Sequence, residues 1–255
     1  MICQTFNTSC MALRFSPFDK DLLAVACSDN FGIAGNSKLH LMKFDLGNNS
    51  TLPIKTYPMQ DAIFSTCFSE QSPNLVSCVT GNGYFKLFNM EGNNPVVDLK
   101  AHQKEVHSVA CNHFLPFLYL TAGADRNINL IDVQAQKVDL VSGTAHSAAV
   151  NQVVWHPRQK NLFASCGKDG RVLLFDLQSK GDKASLAAVE AKDVLSVDFN
   201  KYNDTFITGS SDNSIKLYDI RNSKIPVMVM QGHRYAVKNV KFSPFKENLL
   251  VSCSL

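Results

Sequence analysis

A single tryptophan, Trp155, stands in 255 residues, and no two of the eight cysteines are spaced as a CxxC pair. Without such pairs the chain has neither a zinc ribbon nor a thioredoxin-type redox motif. It has no GxGxxG fingerprint, Walker loop or nucleophile elbow, so nucleotide and hydrolase chemistry lack their phosphate cradle and serine turn. Charge of neither sign dominates: 25 basic residues stand against 22 acidic ones, which argues against a nucleic-acid partner. No apolar run is long enough to cross a bilayer, and Met1 to Thr8 has no basic stretch leading into an apolar one. These absences predict a soluble, reduced, cytosolic or nuclear protein with no cofactor, no metal and no direct membrane insertion.

What the chain does have is a beat. Phe44-Asp45, Phe88-Asn89, Ile131-Asp132, Phe175-Asp176 and Tyr218-Asp219 repeat an apolar residue followed by an acid or amide, at steps of 44, 43, 44 and 43. A second series, Phe15-Ser16, Phe68-Ser69, Cys111-Asn112, Trp155-His156, Phe199-Asn200 and Phe242-Ser243, keeps that interval after a first step of 53. A period in the forties with several short apolar runs predicts an all-β WD-repeat β-propeller. The unbroken repeat predicts one domain over residues 1–255, with five complete blades and part of a sixth of an expected seven.

In the fourth unit Ala149–Trp155, Leu162–Cys166 and Arg171–Phe175 read as strands, Gly167–Gly170 as a tight turn, and Ala184–Val189 as a weaker fourth strand. Cys27, Cys78, Cys166 and Cys253 close similar apolar runs. Recurrence in one register makes them small residues of a buried strand, not ligands or disulfide partners. His146, Ser165 and Asp169 resemble a catalytic trio, yet His102, Thr121 and Asp125 repeat it, and Thr208 with Asp212 and His233 with Ser252 repeat parts of it. An active site needs one triad, whereas a propeller needs a pin in each blade. The trio therefore reads as structural, and the chain as no enzyme. In WD repeats such networks end on a tryptophan; here Phe88, Ile131, Phe175 and Tyr218 replace it, which shifts the burden to apolar packing.

The beat breaks twice. Seven residues separate Asp125 from Asp132, Asp169 from Asp176 and Asp212 from Asp219, but sixteen separate Asp29 from Asp45. The nine extra residues hold Phe31, Gly32, Ile33, Ala34 and Gly35, a compact loop at the end of the blade where propeller ligands bind. The second break is at Leu255, where the sixth unit stops after two strands. The sequence thus reads as C-terminally truncated, with the strand near Phe6 left without a blade to complete.

The insert, with Asp61-Ala62-Ile63-Phe64 before Phe68-Ser69-Glu70, Asn200 to Asp204, Asp219 to Asn222 and Gly232 to Phe245, resembles the peroxisomal receptor for the type 2 targeting signal, the peroxin 7 family. The resemblance implies a cargo receptor that binds an amphipathic N-terminal nonapeptide with a basic first residue. It implies type 2 signal-bearing cargo, an import co-receptor and a peroxisomal docking complex as partners, with cycling between cytosol and peroxisome. Such a ligand calls for an apolar groove with acids at its basic end. Asp61, Glu105 and Asp193, ahead of the first strands, and Phe31 and Ile33 in the insert, are the candidate contacts. Two other readings share the repeat: a general WD-repeat scaffold of chromatin or ubiquitin-ligase type, and a truncated fragment without function.

Overall fold

The computed structural model describes residues 8–29, 36–45, 47, 50–143, 145–178 and 184–254. Every named element is a strand. β1 (Ser9–Phe15), β2 (Leu22–Ser28), β3 (Ser37–Asp45) and β4 (Ser50–Met59) form one antiparallel sheet in chain order. β5 (Ile63–Phe68), β6 (Leu75–Thr80), β7 (Tyr84–Asn89) and β8 (Pro95–Lys100) form the next. The third holds β9 (Val106–Cys111), β10 (Leu118–Gly123), β11 (Ile128–Asp132) and β12 (Lys137–Ser142). The fourth holds β13 (Val150–Trp155), β14 (Leu162–Gly167), β15 (Arg171–Asp176) and β16 (Ala184–Val189). The fifth holds β17 (Val194–Phe199), β18 (Thr205–Ser210), β19 (Ser214–Asp219) and β20 (Met228–Gln231), and β21 (Val237–Phe242) pairs with β22 (Leu250–Ser254). Five four-stranded meanders and one two-stranded sheet are the blades of a WD-repeat β-propeller.

Both dipeptide series now have a physical meaning. In the inner repeats, though not at the exposed Phe15, the apolar member is a core residue: Phe88, Ile131, Phe175 and Tyr218 are buried, as are Phe68, Cys111, Trp155 and Phe199. Its polar neighbour turns the chain by accepting amide hydrogens. Asn89 takes the Glu91 amide, Asp132 those of Gln134 and Ala135, and Asp219 that of Arg221, at 2.9–3.0 Å. Ser69, Asn112 and Ser243 do the same at the ends of β5, β9 and β21. These are Asx and serine turns, repeated because each hairpin needs one.

The chain divides into two compact units, residues 1–123 with 129–139, and 124–128 with 140–255. In the first, Leu39, Leu41 and Tyr57 pack on Ile63, Phe68, Val76 and Phe88, and Val79, Phe85 and Leu87 pack on Val106, Val109, Tyr119 and Ile131. In the second, Val172 and Leu174 pack on Val194, Val197, Phe199 and Phe206, with Ile207 and Ile215 against Val237 and Val240. Alternation is weak in second strands such as β2, β10 and β14, which are almost wholly buried between apolar neighbours.

The register corrects the cysteine reading. Cys166 and Cys253 share a place, opposite Gln152 and Asn239. Cys78 lies one step earlier, opposite Thr66, and Cys27 one step later, opposite Cys10. β2 has seven residues where β6 and β14 have six, so counting from the start of the run misplaces its last side chains. Cys253 is also exposed, unlike the other three.

Candidate functional site

Each first strand carries a bulge, at the third residue of β1 and at the second residue of the others. The register jumps from Cys10 to Ala12, Ile63 to Ser65, Val150 to Gln152, Val194 to Ser196 and Val237 to Asn239, and β9 skips between Val106 and Ser108. The skipped residues are Met11, Phe64, His107, Asn151, Leu195 and Lys238. A bulge leaves one residue out of the ladder and re-aims it, which is why bulges gather at binding sites. In β5, β13 and β17 the next residue is polar and reaches to the neighbouring sheet. Ser65 Oγ accepts the Val109 amide at 3.4 Å, Gln152 Oε1 that of Val197 at 2.9 Å, and Ser196 Oγ that of Val240 at 3.0 Å. These bonds tie the bulged ends of β5, β13 and β17 to the next sheet, a good setting for ligand contacts.

The candidate acids sit at this end. Glu105 and Asp193 immediately precede the bulged strands at Val106 and Val194, Glu105 exposed and Asp193 half-buried. Asp61 is one residue further out, because Ala62 stands directly before Ile63. Its backbone is fixed by the Ser37 hydroxyl, which donates to the Asp61 carbonyl. The Asp193 carbonyl accepts from the Ser211 amide at 3.0 Å and from Ser210 Oγ at 3.1 Å. In the first unit Asp61 and Phe64 both lie over Gly81: a Cβ there would stand 3.3 Å from the Phe64 ring and 3.7 Å from Asp61 Oδ1. The Phe64 ring meets the His107 imidazole edge-on, centroids 6.1 Å apart. Acids beside rings suit a ligand that is basic and apolar on one face. Phe31 and Ile33 lie outside the described residues. Phe64 and His107 escaped the sequence reading, although their common place after Ile63 and Val106 was countable from the 43-residue step.

The structure brings His146, Ser165 and Asp169 together. His146 Nε2 is 2.7 Å from Ser165 Oγ, and Nδ1 is 3.0 Å from Asp169 Oδ1. Burial raises the Asp169 carboxyl, but the His146 bond and the Ser147 and Arg171 amides outweigh it and leave it lowered. His102 Nε2 meets Thr121 Oγ1 at 3.0 Å, and His233 Nε2 meets Ser252 Oγ at 2.8 Å. Asp125 accepts the Asn127 amide in its turn. The same contact, from a histidine Nε2 to a hydroxyl of the second strand, thus recurs in three sheets.

The fifth blade departs from this. The place of the histidine, four residues before the first strand, is held by Glu190, buried with its carboxylate accepting from Thr208 Oγ1 at 2.5 Å. Lys216 Nζ bridges Glu190 Oε2 at 2.5 Å and Asp212 Oδ2 at 2.6 Å. In the second blade Met59 and Cys78 fill the same two places, with Cys78 Sγ 3.8 Å from Met59 Sδ. Neither substitution matches the serine-histidine pattern, which is why the pairing at Thr208 was not traced to Glu190.

Over 95% of its length the chain is 25% identical to the Peroxisomal targeting signal 2 receptor of Saccharomyces cerevisiae, covering 77% of that protein. The Peroxisomal targeting signal 2 receptor of Schizosaccharomyces pombe is 24% identical over the same share, with 78% of it covered. Histone acetyltransferase type B subunit 2 of Candida glabrata is 25% identical over 78% of the chain and 49% of that protein. A WD domain, G-beta repeat model matches residues 93–132. The family model described as Nucleolar protein 10-like, N-terminal domain matches residues 116–254, over half of the chain, and the chain belongs to this β-propeller family.

Proposed function

We propose that this chain is a receptor for the type 2 peroxisomal targeting signal, carrying signal-bearing proteins from the cytosol to the peroxisome with a co-receptor. The observation that carries the reading is likeness to two such receptors along nearly the whole chain, where the histone acetyltransferase subunit aligns with less of it. The chemistry at the bulged strand ends supports it. Asp61 and Glu105, with Phe64 and His107, suit the basic and apolar side chains of an amphipathic signal helix. Asp193 offers a further carboxylate in the second unit. The insert holding Phe31 and Ile33 is proposed as cargo or co-receptor surface.

Fluorescence anisotropy with a labelled type 2 signal nonapeptide tests this. The chain is expected to bind it, with Asp61→Lys and Glu105→Lys together weakening affinity at least about tenfold while circular dichroism is unchanged. Absence of binding, with capture of a histone peptide instead, would favour a chromatin-type scaffold. Binding that ignores both reversals would move the site elsewhere.

A further inference from the structure

We propose that Cys10 and Cys27 are a redox modification site, forming a reversible disulfide that ties β1 to β2. They are direct Cα partners in the register, and their Sγ atoms stand 3.5 Å apart. A disulfide of about 2 Å asks for a movement of roughly 1.5 Å, shared between two side chains. The bulge that follows Cys10 gives the backbone there the freedom to supply it. Cys67 is engaged with Ser77 Oγ and Cys78 with Met59 Sδ, so neither presents such a geometry.

The two thiols differ in access. Cys10 is exposed, whereas Cys27 is 1% exposed, so an oxidant from solvent meets Cys10 first. With a small-molecule disulfide such as glutathione disulfide, the Cys10 thiolate attacks one sulfur and releases one thiolate. That thiolate takes the Cys27 proton, and the Cys27 thiolate then attacks Cys10 Sγ and expels the second glutathione as a thiolate, which takes up from solvent the proton that Cys10 had released. Two protein thiols are oxidised and one glutathione disulfide is reduced to two glutathiones. Burial, aided by the neighbouring Cys10, pushes the Cys27 thiol up to about 12, so the second step is the slow one. β1 is an end strand bonded in its sheet only to β2. The crosslink fastens that strand near its start, beside the bulge at Met11.

The reduced chain would be incubated with glutathione disulfide, alkylated in denaturant, and digested with trypsin without reduction. The expected product links the peptide ending at Arg14 to the peptide Asp21 to Lys38 in most molecules, and loses Cys27 alkylation in step. Cys10→Ser should abolish the link, Cys3→Ser on the same peptide should keep it, and Cys27→Ser should stop Cys10 at the glutathione adduct. A persistent glutathione adduct on the unaltered chain, a link that needs Cys3, or no reaction would overturn the proposal.

Discussion

Glu190 is the residue whose environment most constrains its blade. A carboxylate with no exposed side chain survives there because Thr208, Tyr218 and Lys216 all donate to it. Burial pulls Lys216 down, but its bonds to Asp212 and Glu190 leave it raised. Burial likewise lifts Asp212, yet Lys216 and Ser214 outweigh it and hold that carboxyl at about 2. Because the folded value lies below the ordinary 3.8, this contribution is present above pH ~4 and fades between ~4 and ~2. Lys216→Met leaves two carboxylates without their cation, and a loss of about 3–5 kcal/mol in denaturant unfolding is expected at neutral pH. The third blade shows a compensation, since Asn129 Nδ2 occupies the Lys216 place and lies 3.5 Å from His102 Nε2. Glu190→His with Lys216→Asn should therefore recover most of that loss. Equal damage in both variants would show that the network is not interchangeable.

Among elements, the turn between the second and third strands decides the most. Its fourth position is left-handed in four blades: Gly83, Arg126, Gly170 and Asn213 have φ of 91°, 72°, 72° and 68°. The turn acid or amide before it accepts an amide just beyond, as Asp125 does from Asn127 and Asp169 from Arg171. At Gly170 a Cβ would also come within 2.5 Å of the Glu190 carbonyl. Gly170→Ala should cost about 2 kcal/mol or more, from backbone strain and the displaced carbonyl together. At Arg126 the strain already exists, and Arg126→Gly should be neutral or stabilising within about 1 kcal/mol. Thermal unfolding of the two variants reads the contrast directly. Similar midpoints would mean that the turn relaxes freely.

For the molecule as a whole, neighbouring blades inside each unit pack apolar faces on one another, so damage there should spread by adjacency. Phe85 in the first unit packs on Tyr119, ring centroids 5.1 Å apart, and Phe206 in the second stacks on Tyr218 at 5.0 Å. Phe85→Ala should cost about 3–5 kcal/mol and strip amide exchange protection from β5–β11. Phe206→Ala should do the same over β13–β19, because Phe206 also packs in one cluster with Ala164, Val172 and Leu174. Protection lost evenly over all strands from either variant would instead indicate one cooperative unfolding unit.

The period of 43 to 44 residues, the strand-turn-strand order and the polar turn residues were determined by the sequence itself, since Asx turns and buried runs are local and repeat with the chain. Local rules also placed His146 with Ser165 in one blade. The register was decided only by pairing: a seven-residue β2 shifts Cys27 opposite Cys10, and no spacing along one strand reveals what stands across from it. The same holds for the bulges that turn out Phe64 and His107, because a bulge exists only relative to a partner strand. Glu190 was invisible for another reason. A carboxylate takes a histidine's place where a lysine neutralises it, and only the pairing of β18 with β19 brings Lys216 there.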